Sequence, residues 1–172
     1  QQPDPATGSV TVPIYATSTY VHDELGVHKG FEYARVQNPT RFALEADLAA
    51  LEGGATGHAF ASGMSAIAAL MTLVRTGEHV VFSRNVYGGT YRFMTQVLDR
   101  YGLESSWVDS TDLANVRAAL KPTTRMIYVE TPTNPMMEVT DIAGAAELAH
   151  AHGAILAVDN TFMSPCFQRP LE

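Results

Sequence analysis

The chain has 172 residues, 46% of them hydrophobic and 17% charged, with a formal net charge of -7, a composition that suits a globular domain able to bury a core. The acidic balance leaves no basic footprint and excludes nucleic acid as an expected partner, although local arginines and backbone N–H groups still suit a small anion. Cys166 is the only cysteine, which excludes an internal disulfide, and no apolar run approaches the roughly 20 residues that cross a bilayer, so a reducing cytoplasm and no membrane partner are expected.

Residues 1–32 are rich in Pro, Thr, Gly and polar side chains without periodicity. They read as an extended arm reaching residue 40, with Val10, Val12, Ile14, Tyr15 and Tyr20 suited to docking on another surface. Asn38-Pro39 is a helix N-cap followed by proline at the first helical position. Leu44, Leu48 and Leu51 share one helical face, and Gly53-Gly54 closes that helix. His58–Phe60 reads as a short strand, followed by a helix from the Ala61–Ser65 turn to Arg75 with Ile67, Leu70, Met71 and Val74 inward. Further strands are expected at 79–82, 105–108, 125–130 and 155–159. Helices are expected at 90–101 (Phe93, Val97, Leu98 and Tyr101 on one side), 112–120 and 141–152. The alternation specifies an α/β fold, a mostly parallel sheet with flanking helices, and leaves the strand order open.

Ligands of such folds gather at the carboxyl ends of the strands, and several stretches fall there. Ile155–Val158 reads as a strand buried on both faces that runs into Asp159, where an ionised carboxylate needs a cation or strong donors. Ala61-Ser62-Gly63-Met64-Ser65 opens a helix after a strand. Its first-turn N–H groups suit a phosphate, and a plain tight turn fits the same residues. Asn85–Arg92 offers Tyr87 for stacking on a planar ring and Arg92 for a carboxylate, or is a turn with an ordinary surface arginine. Glu130–Pro135 holds Asn134 between two prolines, as a binding loop or merely a rigid turn. Tyr33 and Arg35, two apart, point the same way in an extended segment. They suit a phosphate, or else are a solvated arginine over a packed tyrosine. His150 and His152 share no helix face, so no metal is expected, and Cys166 reads as a buried or incidental thiol.

Taken in order, Phe31–Arg35 with Asn38-Pro39-Thr40, Ala59–Met64, Tyr87–Arg92, Glu130–Pro135 and Val158–Phe162 resemble the Cys/Met-metabolism family of pyridoxal-phosphate enzymes. The resemblance spans nearly the whole chain. It implies the large domain of the aspartate aminotransferase-like fold (fold type I), with pyridoxal 5'-phosphate as cofactor. It implies that Ser62, Gly63 and Met64 hold the cofactor phosphate. Tyr33 and Arg35 would bind the phosphate of a neighbouring subunit's cofactor, making the arm an interface element of a homotetramer with shared active sites. Tyr87 would stack on the ring and move protons, Asn134 would contact the ring's 3-oxygen, Thr161 would sit beside Asp159, and Asp159 would pair with the ring nitrogen. A protonated ring is an electron sink for charge at the substrate Cα. Arg92, with Tyr87, would meet an amino-acid substrate, cystathionine or a homoserine derivative. The wording of 130–135 and 159–170 resembles the cystathionine γ-lyase branch most, with the γ-replacement enzymes (γ-synthase, homoserine-ester sulfhydrylase) next. Gly89 stands where methionine γ-lyases usually carry Cys.

This chemistry also needs a Schiff-base lysine. Lys29 lies in the arm and Lys121 precedes a strand at the wrong end of the sheet, so neither fits. In the family the lysine follows the Asp in a Ser-x-Thr-Lys context, which falls beyond Glu172. Residues 41–172 are therefore expected to be the N-terminal portion of a cofactor-binding domain, incomplete before its lysine, that does not turn over substrate alone. The alternative of another class is a non-catalytic α/β module that binds a phosphorylated ligand at the Ser62–Ser65 helix start.

Overall fold

A computed structural model describes residues 3–172. They form two compact units, the chain up to Ala59 together with Leu171–Glu172, and Phe60–Pro170.

In the first unit, residues 3–38 carry no helix and no ladder, only isolated bridges of Thr19 with Tyr33 and Glu24 with Val27. Val10 and Ile14 are 82% and 85% exposed, as an arm without a core of its own. Helix α1, Pro39–Glu52, begins where the cap predicts: the Asn38 side chain accepts the N–H groups of Thr40 and Arg41. Gly53 ends it in the left-handed region at φ 67°. Gly57 passes so close beneath α1 that a Cβ there would lie 2.3 Å from the Glu45 carbonyl oxygen. The expected strand at 58–60 does not form. The Ala59 N–H goes instead to Glu45 Oε1 at 2.9 Å, and no ladder partner lies beside it among the described residues.

The second unit runs α2 (Gly63–Met71), β1 (His79–Ser83), α3 (Gly88–Gln96), a 3-10 turn (Leu98–Tyr101), β2 (Glu104–Val108), α4 (Leu113–Ala119), β3 (Thr124–Glu130), α5 (Ile142–Ala151) and β4 (Ile155–Asp159). A one-turn helix α6, Ser164–Phe167, follows without a periodicity that predicts it. The strands pair in parallel in the order β2-β1-β3-β4. Side chains alternate across the sheet as the strand period requires. Val80, Phe82, Met126 and Tyr128 pack with α2 and α3, while Val81, Ile127 and Val129 pack with α4 and α5. The strands buried on both faces are thus β1 and β3; β4, expected to be one of them, is half-buried because it has a strand neighbour on one side only.

Two helix ends also differ from expectation. Helix α2 stops at Met71 rather than Arg75, because Thr72 Oγ1 turns back onto the Ala69 carbonyl at 2.6 Å and the amides of 72–74 bond three residues back. The helix expected over 90–101 breaks at Val97 into the 3-10 turn. The break leaves Phe93 and Leu98 on the core but turns Val97 and Tyr101 out to solvent.

Strand order decides where a ligand sits. The chain leaves β1 outward to β2, then returns past β1 to β3, so the loops after β1 and β3 lead to helices on opposite faces and a crevice opens between them. At the other end of the sheet, His79 is buried with its ring nitrogens 2.8 Å and 2.9 Å from the hydroxyls of Thr124 and Ser106. Burial pushes that imidazole below its usual value, and Lys121, ion-paired with Glu104 at 2.9 Å, pushes it further.

At the crevice end, Arg84 bridges Asp109 (3.0 Å) to Glu138 (2.8 Å), and Asn85 also donates to Glu138 at 2.7 Å. The Arg84 guanidinium, then Asn85, hold the Glu138 carboxyl below its ordinary 4.5. A lowered carboxyl contributes stability that is present above its unfolded value and lost as the pH falls through its folded value. Arg84→Ala should therefore lower the melting temperature near pH 7, and the gap to the wild type should close as melts are repeated down to about pH 3. A gap of the same size in acid would assign the loss to packing instead.

Candidate functional site

A cavity of about 560 Å³ opens at the carboxyl ends of β1, β3 and β4 beside the start of α2, with Ser62, Gly63, Met64, Tyr87, Glu130, Asn134, Asp159 and Thr161 among its lining residues. At its α2 end, Ser62 Oγ accepts the Ser65 N–H at 3.1 Å. The N–H groups of Gly63 and Met64, in the first turn, have no partner inside the helix. A Cβ added at Gly63 would meet nothing within 4 Å, so the space over these amides is open. That is a cradle for a phosphate-sized anion at the positive end of a helix.

Tyr87, 55% exposed as a residue, lines the cavity from the loop after β1. Its pose depends on the bare backbone two residues on: a Cβ at Gly89 would lie 2.3 Å from Tyr87 Cε1 and 2.9 Å from Met64 Sδ. Only glycine lets the phenol lie there against the phosphate turn. The Tyr87 N–H donates to Glu130 Oε2 at 2.6 Å.

Asp159, at the end of β4, accepts three hydrogen bonds. Thr161 donates twice to Oδ1, from Oγ1 at 2.5 Å and from its N–H at 3.1 Å, and the Tyr128 hydroxyl donates to Oδ2 at 2.9 Å. Burial, then the Asp159 charge, push the Tyr128 phenol well above its ordinary range, so it remains a donor. All three donors are neutral.

Glu130 is the residue that sequence reasoning passed over, although the apolar run Ile127–Val129 into Glu130 has the form of Leu156–Val158 into Asp159. It stands opposite Asp159 in the β3–β4 register and is 2% exposed. Its carboxylate accepts the Tyr87 N–H and, at 3.4 Å, the Asn134 N–H. Burial pushes its carboxyl above the usual range and the Asp159 charge adds to that shift.

The remaining expectations divide. Arg92 is exposed on α3 and does not line the cavity, but its guanidinium folds back over Gly88, which does; a Cβ there would be 3.1 Å from Nη1. Tyr33 and Arg35 belong to the first unit, with the Arg35 guanidinium 4.8 Å from the Tyr33 ring centroid. They meet through a turn rather than along an extended segment, since the N–H groups of Val36 and Gln37 both bond to the Tyr33 carbonyl. Cys166 is exposed, not buried. Among the described residues no group of His, Cys, Asp and Glu could hold a metal ion, and no helix is long and apolar enough to cross a membrane.

The cavity therefore has an anion cradle at one end, two carboxylates with no cation paired to them among the described residues at the other, and an aromatic face beside it. Such a set fits a planar ring that carries a phosphate and a protonated nitrogen.

Comparison with known proteins agrees. The pattern of the Cys/Met metabolism PLP-dependent enzyme family matches residues 1–172. The cystathionine gamma-lyase of Bacillus subtilis is 52% identical over 98% of this chain and 44% of its own length. The cystathionine gamma-synthase of Mycobacterium bovis is also 52% identical, over 99% of this chain and 44% of its own length. The crystal structure of cystathionine gamma-lyase from Lactobacillus plantarum, complexed with L-serine, superposes with a TM-score of 0.94 at 47% identity, over 99% of this chain and 45% of that one. The chain thus spans less than half the length of these relatives.

The Gly89 contact is testable. Gly89→Ala should destabilise the protein by about 1–3 kcal/mol, as overpacking does. A crystal structure of the variant should show the Tyr87 ring swung away from Met64. An unmoved ring with an unchanged melting temperature would remove glycine 89 from the account of the site.

Proposed function

The chain belongs to the Cys/Met metabolism PLP-dependent enzyme family, and on that premise we propose that it is the N-terminal part of a trans-sulfuration enzyme, a cystathionine γ-lyase. The reaction proposed takes L-cystathionine and water to L-cysteine, 2-oxobutyrate and ammonia by α,γ-elimination. The observation that carries the cofactor in this reading is Asp159 at the end of β4, met only by neutral donors among the described residues, in one cavity with an open anion cradle. A module that bound only a phosphorylated ligand would have no use for that carboxylate.

In this reading Gly63 and Met64 hold the cofactor phosphate through their N–H groups, with Ser62 ordering the turn. Asp159, held by Tyr128 and Thr161, would accept the hydrogen bond of the ring nitrogen and keep it protonated. Bound there, pyridoxal phosphate supplies an electron sink for charge developing at the substrate Cα. Tyr87 would cover one face of the ring and move protons at the substrate, Asn134 would meet the 3-oxygen, and Arg92, at the rim beside Gly88, would take the substrate carboxylate. Tyr33 and Arg35 serve the phosphate of a neighbouring subunit, which makes the arm an interface element of a homotetramer. The Schiff-base lysine lies beyond Glu172, and the enzyme works in the cytoplasm.

A second reading is γ-replacement, in which cysteine adds to an activated homoserine. The equal identity to a γ-synthase and a γ-lyase supports keeping it. Incubating the full-length protein with L-cystathionine, and separately with cysteine and a homoserine ester, separates the two. A γ-lyase releases 2-oxobutyrate, whereas a γ-synthase accumulates cystathionine from cysteine and a homoserine ester.

Asp159→Ala in the full-length enzyme should cut kcat by about 10²-fold or more. The cofactor should be retained within about tenfold of the wild-type affinity, because the phosphate grip is untouched. Loss of cofactor and turnover in equal measure would take the ring nitrogen away from Asp159.

A further inference from the structure

Glu130 poses a physical question that the proposed reaction leaves unanswered. It is a carboxylate 2% exposed, beside a second carboxylate in the strand register, and its hydrogen-bond donors are backbone amides rather than a cation. Burying a charge in this way is costly unless the site gains something specific from it. A lost packing contact is no explanation, since an apolar side chain would fill the same volume without the penalty.

What the carboxylate does touch is informative. Oε2 takes the Tyr87 N–H at 2.6 Å and Oε1 takes the Asn134 N–H at 3.4 Å. Those amides belong to two different loops, one after β1 and one after β3, which lead to helices on opposite faces of the sheet. The β1–β3 ladder ends at Phe82 and Tyr128; beyond it Arg84 and Asn85 tie the base of the first loop to Glu138 of the second, and Glu130 is the contact that reaches the Tyr87 and Asn134 amides themselves. Glu130 itself is held from behind, its N–H donating to the buried Ser83 hydroxyl at 3.0 Å.

We infer that Glu130 is a positioning residue: its carboxylate clamps the Tyr87 and Asn134 loops across the crevice, so that the stacking ring and the ring-oxygen contact keep one mutual geometry. The inference rests on the pyridoxal-phosphate reading above. Two-point acceptance requires both oxygens, which the carboxylate has. A glutamine retains one acceptor and turns an NH₂ toward the other amide. Burial pushes this carboxyl above its usual range, and the hydrogen bonds from the Tyr87 and Asn134 amides oppose that shift by favouring the ionised, doubly accepting form.

The test uses the full-length, cofactor-loaded protein and Glu130→Gln. The phosphate cradle does not involve Glu130, so pyridoxal-phosphate affinity should stay within about threefold of wild type. A misplaced Tyr87 should nonetheless reduce the induced circular dichroism of the bound cofactor to about half or less, and lower kcat by about 10²-fold with little change in KM. A purely structural role would depress the melting temperature and leave the dichroism per bound cofactor and kcat at wild-type values; that result overturns the inference. Should the variant not fold, amide hydrogen exchange of the unmutated protein decides. The Tyr87 N–H should be strongly protected, and exchange at the rate of an open loop overturns the clamp. A wild-type protein that takes up no pyridoxal phosphate refutes the functional reading instead, while the Tyr87 amide still tests the clamp.

Discussion

The parallel β3–β4 ladder sets Glu130 beside Asp159 at the strand ends, and the strand end of the cavity depends on how the two like charges are accommodated there. Each is satisfied by dipoles rather than by a cation: Asp159 by Thr161 and Tyr128, Glu130 by the amides of Tyr87 and Asn134. The division of labour follows from burial. Glu130 is sealed at 2% exposure and holds backbone, whereas half-buried Asp159 faces the cavity and has donors on only part of its surface. In a medium of reduced dielectric two neighbouring carboxylates favour a positive group beside them.

The other end of the cavity works through geometry more than charge. Ser62 caps α2, glycine at 63 leaves the first-turn amides uncovered, and glycine at 89 lets Tyr87 close on Met64. The strand order β2-β1-β3-β4 brings these parts together, because the reversal at β1 opens the crevice between its loop and that of β3. None of the groups is unusual alone. Their value lies in a rigid sheet that holds them with little freedom left to lose on binding.

The differences between expectation and structure each have a local cause. Residues 58–60 had strand-like composition but no neighbouring strand, and the Ala59 amide found Glu45 instead. The helix face at Val97 and Tyr101 was read from an unbroken helical period, which the 3-10 turn interrupts. Helix α2 stops early through a threonine side chain returning to its own backbone. Strand β4 has the apolar run of a doubly covered strand but sits at the edge of the four strands described. Glu130 was hidden because a charged residue ending a strand looks the same whether it meets solvent or a buried loop.

The sequence alone determined the α/β class, the caps of α1, the turn that starts α2, the four strands and the family, because these depend on short-range periodicity, cap chemistry and ordered motifs. It also singled out Asp159, Tyr87, Asn134 and the Ser62–Met64 turn, all of which line one cavity. Only the tertiary structure decided the strand order, the pairing of Glu130 with Asp159, and the close approach of the Tyr87 ring to the bare backbone of Gly89. The physical reason is the same in each case. Register and close approach are set between segments far apart in the chain, and no local pattern records which amide a buried carboxylate will meet.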